Sequence, residues 1–287
     1  MSLGPRFARL PRPLARRLLP WLRYLNLMRA LELRLMAPWV REVDSWRILD
    51  VGCGHGLYSL PLAGQGASLL GCDLGLDSLG AAVHTAEGLA LAGRTLFLAA
   101  DGAALPVVVG SFDLVICNCV LEHIADDGAA LAAMARSLRP GGLLFLSVDN
   151  AEHGLAMGVL ERLPERVKTW LLRPSVAGAA SVEAGLDARL DQLYSILRRY
   201  RQDELAARLQ ALGLSVLDSH PYLSGVGAAQ YELFHTVRGL GLEGGLGRFL
   251  YMLSSLLLYP LAAWSDDRPD VQGHGLAFVA RKGTVRS

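Results

Sequence analysis

Cysteine is scarce in this chain. There are four, Cys53, Cys72, Cys117 and Cys119, and no two of them form a Cys-x-x-Cys pair. That argues against a disulfide framework and a cysteine-built zinc site. Each thiol lies in or beside an apolar strand-like run, where a buried, reduced thiol is expected. Aromatic residues are also few, 7 %, and they are not interleaved with basic residues as a nucleic-acid surface requires. The uncharged segment "FLYMLSSLLLYPLAAW", 249–264, has sixteen residues, and Pro260 interrupts it. A membrane span needs about 20 apolar residues, so no span is expected there. Arginines and prolines break up the apolar stretches near the N-terminus, and no secretory signal pattern is read there. Acids are almost missing from residues 1–41, which carry nine arginines and the single acid Glu32. That segment is +8 in a chain of net charge +1, so the remainder is −7. Such asymmetry implies a basic arm on an acidic body, or a surface that meets anions.

What is present is apolar sequence. Hydrophobic residues make up 52 % of the 287, and the mean hydropathy is +0.32. The length suffices for one large α/β domain with insertions. Short apolar runs at Arg47–Val51, Ser68–Asp73, Thr95–Ala100, Phe112–Asn118 and Gly142–Val148 alternate with alanine-rich helical patterns. Strands apolar on both faces and separated by helices indicate a parallel sheet covered on both sides. Further on, "RQDELAARLQALGL" reads as a helix ended by Gly213, and 214–219 and 275–282 read as strands. The expected fold is α/β, a doubly wound, mostly parallel seven-stranded sheet. A basic helical arm covers 1–45 and the main domain covers 46–287, with helical inserts at 151–200 and 220–273.

"ILDVGCGHGLYS", residues 48–59, places Gly52, Gly54 and Gly56 at alternate positions directly after a strand. Glycine costs roughly 0.5–1 kcal/mol relative to alanine inside a regular element, so the cluster marks a sharp turn or a close approach. A strand, a glycine turn and a helix form the nucleotide-binding end of a doubly wound sheet. The dinucleotide pattern G-x-G-x-x-G needs glycine at 57, where this chain has Leu57. Asp73 ends the second strand 21 residues after Gly52; it can accept both hydroxyls of a ribose, or cap the next helix. Asp101, in "ADGAALP", can accept from an exocyclic amine, with the backbone N–H near Gly102 or Ala103 donating to a ring nitrogen; the alternative is a plain Asp-Gly turn.

The ordered set "LDVGCGHG", "GCDLG", "ADGAALP", "FDLVICNCVLEHI" and "LRPGG" resembles the class I S-adenosylmethionine-dependent methyltransferases, closest to the type 11 branch that includes the quinone-biosynthesis methyltransferases. The resemblance implies a Rossmann-like sheet and S-adenosyl-L-methionine as cofactor. It assigns Asp50, Gly52, Gly54 and Gly56 to the methionine part, Asp73 to the ribose, and Asp101 and Gly102 to the adenine. Cys117 and Asn118 fall to the methionyl group, largely through backbone. His55 reads as a turn residue near the cofactor, and Glu122 and His123 as a turn and helix start. In the quinone O-methyltransferases a metal site uses a further acid at the position of Cys119, so no metal is expected here. His123 and His153 are the candidate bases if the acceptor hydroxyl needs one.

Both inserts follow strands on the cofactor side and are expected to cap the site. Trp21, Leu25, Met28 and Leu35 can share one face of an N-terminal lid helix. The favoured acceptor is a hydrophobic small molecule, lipid-linked or quinone-like. A polar-metabolite methyltransferase whose apolar segments form a homodimer interface is the alternative, and a non-catalytic cofactor-fold protein the rival from another class. The location expected is cytoplasmic, with peripheral contact to the inner face of a membrane through the basic arm and 249–264. No nucleic-acid partner is expected.

Overall fold

The computed structural model describes residues 26–152, 166, 195–239, 245–268 and 271–284. Among them lie seven strands: β1 (Arg47–Val51), β2 (Ser68–Asp73), β3 (Thr95–Ala99), β4 (Phe112–Asn118), β5 (Leu138–Asp149), β6 (Leu214–Tyr222) and β7 (Gly275–Lys282). The α-helices are α1 (Leu27–Met36), α2 (Leu60–Ala63), α3 (Leu76–Gly88), α4 (Asp127–Ser137), α5 (Gln202–Ala211), α6 (Gly225–Gly239) and α7 (Gly245–Asp266). The strands form one sheet of order β3-β2-β1-β4-β5-β7-β6. β1 through β5 pair in parallel. β7 runs antiparallel to both β5 and β6, so the sheet is mixed. The connection after β6 passes through α6 and α7, and β7 starts where β6 ends, with Tyr222 opposite Gly275. It can therefore only run back down between its neighbours.

Burial explains the arrangement. Ile48, Leu49 and Val51 of β1 and Leu114 to Cys117 of β4 are almost fully enclosed, as central strands with both faces covered must be. One core packs α4 and α5 against one face, through Leu131, Met134, Leu205 and Leu209. The other packs α1, α2 and α7 against the opposite face, through Leu27, Leu31, Leu60 and Ala262. The strand order reverses between β1 and β4, and in open α/β sheets the ligand crevice lies outside the strand ends at that point.

Several expectations shift. β5 starts at Leu138, four residues before the expected Gly142, because "LRPGG" stays in the ladder across a register irregularity opposite Phe112. β6 continues to Tyr222, which shortens the insert expected from 220. Pro260 does not interrupt its segment but sits inside α7. It is exposed, while Ser255 and Ala262 on either side are anchored in the core, so packing offsets the one backbone hydrogen bond that proline removes. α1 buries Leu27, Ala30, Leu31, Glu32 and Met36, and Met28 and Leu35, partly buried, pack against the same core. Trp21 and Leu25 lie outside the described residues, as does most of the 151–200 insert.

Where that insert ends, the chain is tied back firmly. Asp127 in the first turn of α4 accepts from Arg208 of α5 and from the Tyr200 hydroxyl, each at 2.8 Å, and pairs with Arg198 at 2.9 Å. Burial acts to raise this carboxyl, but the hydrogen bonds from Arg208 and Tyr200 prevail and hold it down at about 2. A carboxyl lowered on folding contributes stability above its unfolded value, about 3.9, which is lost as pH falls toward the folded one. Wild-type urea midpoints should therefore drop between pH 4 and pH 2, and this component should be missing from Asp127→Asn. Parallel pH profiles for the two proteins would contradict the assignment.

Candidate active site

The switch-point edge is built from four strand ends side by side. β1 runs out at Val51, and the N–H groups of Gly52 and Cys53 both donate to the Cys72 carbonyl, at 2.7 and 2.9 Å. The chain then turns with Gly52 at φ +69° and Gly54 at φ +51°, and the Gly56 N–H closes onto the Cys53 carbonyl. A Cβ on Gly52 would lie 2.3 Å from Val120 Cγ2, so only glycine fits there. At Gly54 a Cβ would meet nothing within 4 Å. Its backbone thus faces open space at the strand end, which is where a ligand can approach without side chains intervening.

Asp73, ending β2, fixes this turn. Its Oδ2 accepts from the Gly54 N–H at 2.8 Å and its Oδ1 from the Gly75 N–H at 2.7 Å. Each oxygen keeps acceptor capacity for a further donor. Leu74 beside it is 72 % exposed, an uncovered apolar surface adjoining the carboxylate that the sequence reading missed. After β3, Asp101 Oδ1 accepts from the Ala103 N–H at 2.9 Å, and Gly102 is buried in the short turn that follows. Cys117 and Asn118 end β4, both buried. The Asn118 Nδ2 group has no hydrogen-bond partner among the described residues. Buried unpaired donors are uncommon and call for a reason. With neighbouring strands about 4.8 Å apart, the order Asp101, Asp73, glycine turn, Asn118 covers roughly 14 Å of sheet edge.

The remaining expected residues fall into place around it. Asp50 is buried and accepts from Ser59 Oγ at 2.5 Å; burial raises its carboxyl to about 7. His55 is half-buried in the turn, and burial holds its imidazole below the ordinary value, favouring the neutral form. His123 is exposed, and its Nδ1 lies 3.0 Å from the Ser195 carbonyl, so Nδ1–H donates and the ring anchors the returning chain. Glu122 is buried with Oε2 unpartnered among the described residues, and burial, with Asp149 adding, pushes its carboxyl well up. His153 lies outside the described residues.

Sequence reasoning missed the polar cluster beneath α1. Glu32 is fully buried. Its Oε1 accepts from Tyr222 OH at 2.6 Å, Ser147 Oγ at 2.7 Å and the Cys119 thiol at 3.2 Å. Its Oε2 accepts from Tyr58 OH. Cys119 itself sits at φ +49°, directly after Asn118. Glu32 thus joins α1 to the loop after the glycine turn and to the ends of β4, β5 and β6. The available signal was one acid inside the apolar phase of an arginine-rich helix. Replacing Glu32 by Ala leaves three hydroxyls without their acceptor, each costing about 1–3 kcal/mol. Urea unfolding of Glu32→Ala should show a loss of at least about 3 kcal/mol; a loss under about 1 kcal/mol would mean the cluster is not enclosed.

Comparison with known proteins follows this geometry. A family model described as a methyltransferase domain matches residues 49–146. A ubiquinone biosynthesis O-methyltransferase of Pseudomonas aeruginosa (strain LESB58) is 35 % identical over 169 residues, 54 % of this chain and 72 % of that protein. One so named from Brucella anthropi is 34 % identical over 157 residues, 51 % of this chain and 62 % of its own. Among solved structures, a putative sarcosine dimethylglycine methyltransferase from Galdieria sulphuraria aligns with TM-score 0.57 at 11 % identity, covering 89 % of this chain and 86 % of that one. A geranyl diphosphate methyltransferase in complex with SAM aligns with TM-score 0.53 at 11 % identity, covering 87 % and 82 %. A cyclase shares the fold too, with TM-score 0.56 at 20 % identity over 88 % and 80 %. At these identities the structures speak for the fold alone.

Proposed function

We propose that this chain, which belongs to the methyltransferase type 11 family of class I S-adenosylmethionine-dependent methyltransferases, methylates a hydroxyl of a hydrophobic, quinone-like acceptor. The observation that carries the reading is the strand-end series of Asp101, Asp73, the open glycine turn and Asn118 along one edge. That edge fits an elongated donor with an adenine, a ribose and an amino-acid tail. Asp101 and the buried turn at Gly102 would meet the adenine, with Leu74 as an apolar surface beside it. Asp73, already oriented by two backbone N–H groups, would accept from the ribose hydroxyls. The Gly52–Gly56 turn and the Asn118 amide would hold the amino-acid end, with Cys117 contributing backbone and Asp50 supporting the turn through Ser59. When bound, the donor supplies an electrophilic sulfonium methyl group.

Little further chemistry is asked of the protein. Aligning an acceptor oxygen with that methyl can be worth about 7–11 kcal/mol. If the acceptor hydroxyl ionises easily, no single histidine is indispensable. His123 is occupied at Nδ1 by the Ser195 carbonyl, which suits a structural duty. The acceptor class draws on the names of the relatives. A lipid-partitioning acceptor would put the reaction beside the membrane that holds it.

The test is methyl transfer to short-chain hydroxylated quinols and to a lipid extract, read by mass spectrometry. A product heavier by one methyl on a hydroxyl, only with S-adenosylmethionine present, is expected. Transfer confined to polar metabolites would overturn the acceptor class, and the absence of any transfer by a chain that binds the donor would favour a binding protein. His123→Ala should retain at least about a tenth of the activity; a loss above about a thousandfold with donor binding intact would identify His123 as a general base.

A further inference from the structure

α7 turns a row of large apolar side chains away from the protein, on a helix that is itself held fast. Its inner side is fastened at three levels. Tyr251 packs its ring on Phe234 of α6, with centroids 3.9 Å apart. Gln230 of α6 donates to Ser254 and Ser255, each at 3.1 Å. Asp266 accepts from the N–H groups of Leu223 and Ser224, at 3.0 and 2.9 Å. The outer side shows Leu250, Leu253, Leu257, Leu261 and Trp264, between 40 % and 67 % exposed. Phe249 and Leu256, exposed as well, flank this row. The row is about 21 Å long at 1.5 Å per residue, and a contiguous exposed apolar patch of that extent marks a contact surface.

Three observations say what covers it. The first is spacing. Outward from Leu257, the row continues four residues away on either side, at Leu253 and Leu261, and then seven away, at Leu250 and Trp264. A row symmetric about its centre matches itself when a second copy is turned about a two-fold axis through Leu257. Leu253 then faces Leu261 of the other copy, Leu250 faces Trp264, and Leu257 faces its own counterpart. Isologous contacts require that self-complementarity, and a lipid surface asks nothing of the kind. The second is charge. A helix lying on a bilayer carries Lys or Arg along its polar face, whereas 249–264 holds no charged residue, so nothing along the row meets headgroups and nothing in it repels its like. No helix among the described residues is long and apolar enough to cross a membrane. The third is area. Seven large apolar side chains about half exposed amount to on the order of 700 Å², close to the roughly 800 Å² that each partner buries in a standard interface.

We propose that this protein is a homodimer, formed by antiparallel packing of the outer faces of two α7 helices about a two-fold axis at Leu257. Spacings of three and four residues let the leucines of one helix fill the gaps between those of the other. The antiparallel arrangement also sets the two helix dipoles in opposition, so each end meets its complement. The inference goes beyond the methyl-transfer reading and does not rest on it, because association is measured without donor or acceptor.

The test is sedimentation velocity on the full chain over a concentration series reaching about 100 μM. Wild type should sediment as a dimer. Leu257→Glu sets two like charges against each other on the axis and should weaken association at least about a hundredfold, with the far-ultraviolet circular dichroism spectrum as in wild type. Leu253→Glu and Leu261→Lys should each weaken self-association. An equal mixture of those two variants should recover a dimer, because the two altered positions face each other in the antiparallel register. Wild type that stays monomeric throughout the series would overturn the proposal. So would a dimer that Leu257→Glu leaves intact, or a mixture of the two variants that stays monomeric. Wild type that is monomeric and pellets with phosphatidylcholine vesicles would also overturn it, and would assign the row to lipid.

Discussion

One carboxylate organises the site. Asp73 accepts from the N–H groups of Gly54 and Gly75, and so holds two loops that leave adjacent strands in fixed relation. Hydrogen bonds to a charged acceptor are worth about 1.5–3 kcal/mol each, enough to order a turn whose residues sit at positive φ. The constraint runs in both directions. The turn can be this tight only because Gly52 clears Val120, and Val120 is placed there by the left-handed backbone at Cys119, directly after β4. Asp73, the glycine turn and the end of β4 are thus one mechanical unit.

A second unit couples that edge to the cap. Glu32 stands on α1, yet all its partners belong to other elements, at Tyr58, Cys119, Ser147 and Tyr222. A carboxylate so enclosed is stable only when its lone pairs are satisfied, and here four donors converge on it. The consequence is that α1 cannot shift without disturbing the loop after the glycine turn. α7 packs on α1 in turn.

Much of this was legible in the sequence, for identifiable reasons. The bounds of β1, β2, β4 and β7 follow from apolar runs buried on both faces and cut off sharply by polar or glycine residues. The positions of the glycine turn, Asp73 and Asp101 at strand ends were legible because each closes or directly follows an apolar run. The early start of β5 was hidden by Pro140, Gly141 and Gly142, which read as a turn while the structure keeps them in the ladder. The length of α7 was hidden by Pro260, whose local cost is offset by packing that no local reading can see. The direction of β7 depends on where the α6–α7 connection returns the chain, a tertiary fact. Glu32 was counted as one charge in a basic arm, because a single acid carries no periodic signal of its own.

The central claim is that this edge binds S-adenosylmethionine, and calorimetry tests it most directly. Titrating wild type and Asp73→Ala with S-adenosylmethionine and its demethylated product should give saturable binding to wild type. The variant should be weaker by roughly tenfold to a hundredfold, the loss of one or two hydrogen bonds to a charged group. Binding of a nicotinamide dinucleotide in preference to S-adenosylmethionine, or equal affinity in wild type and variant, would contradict the account.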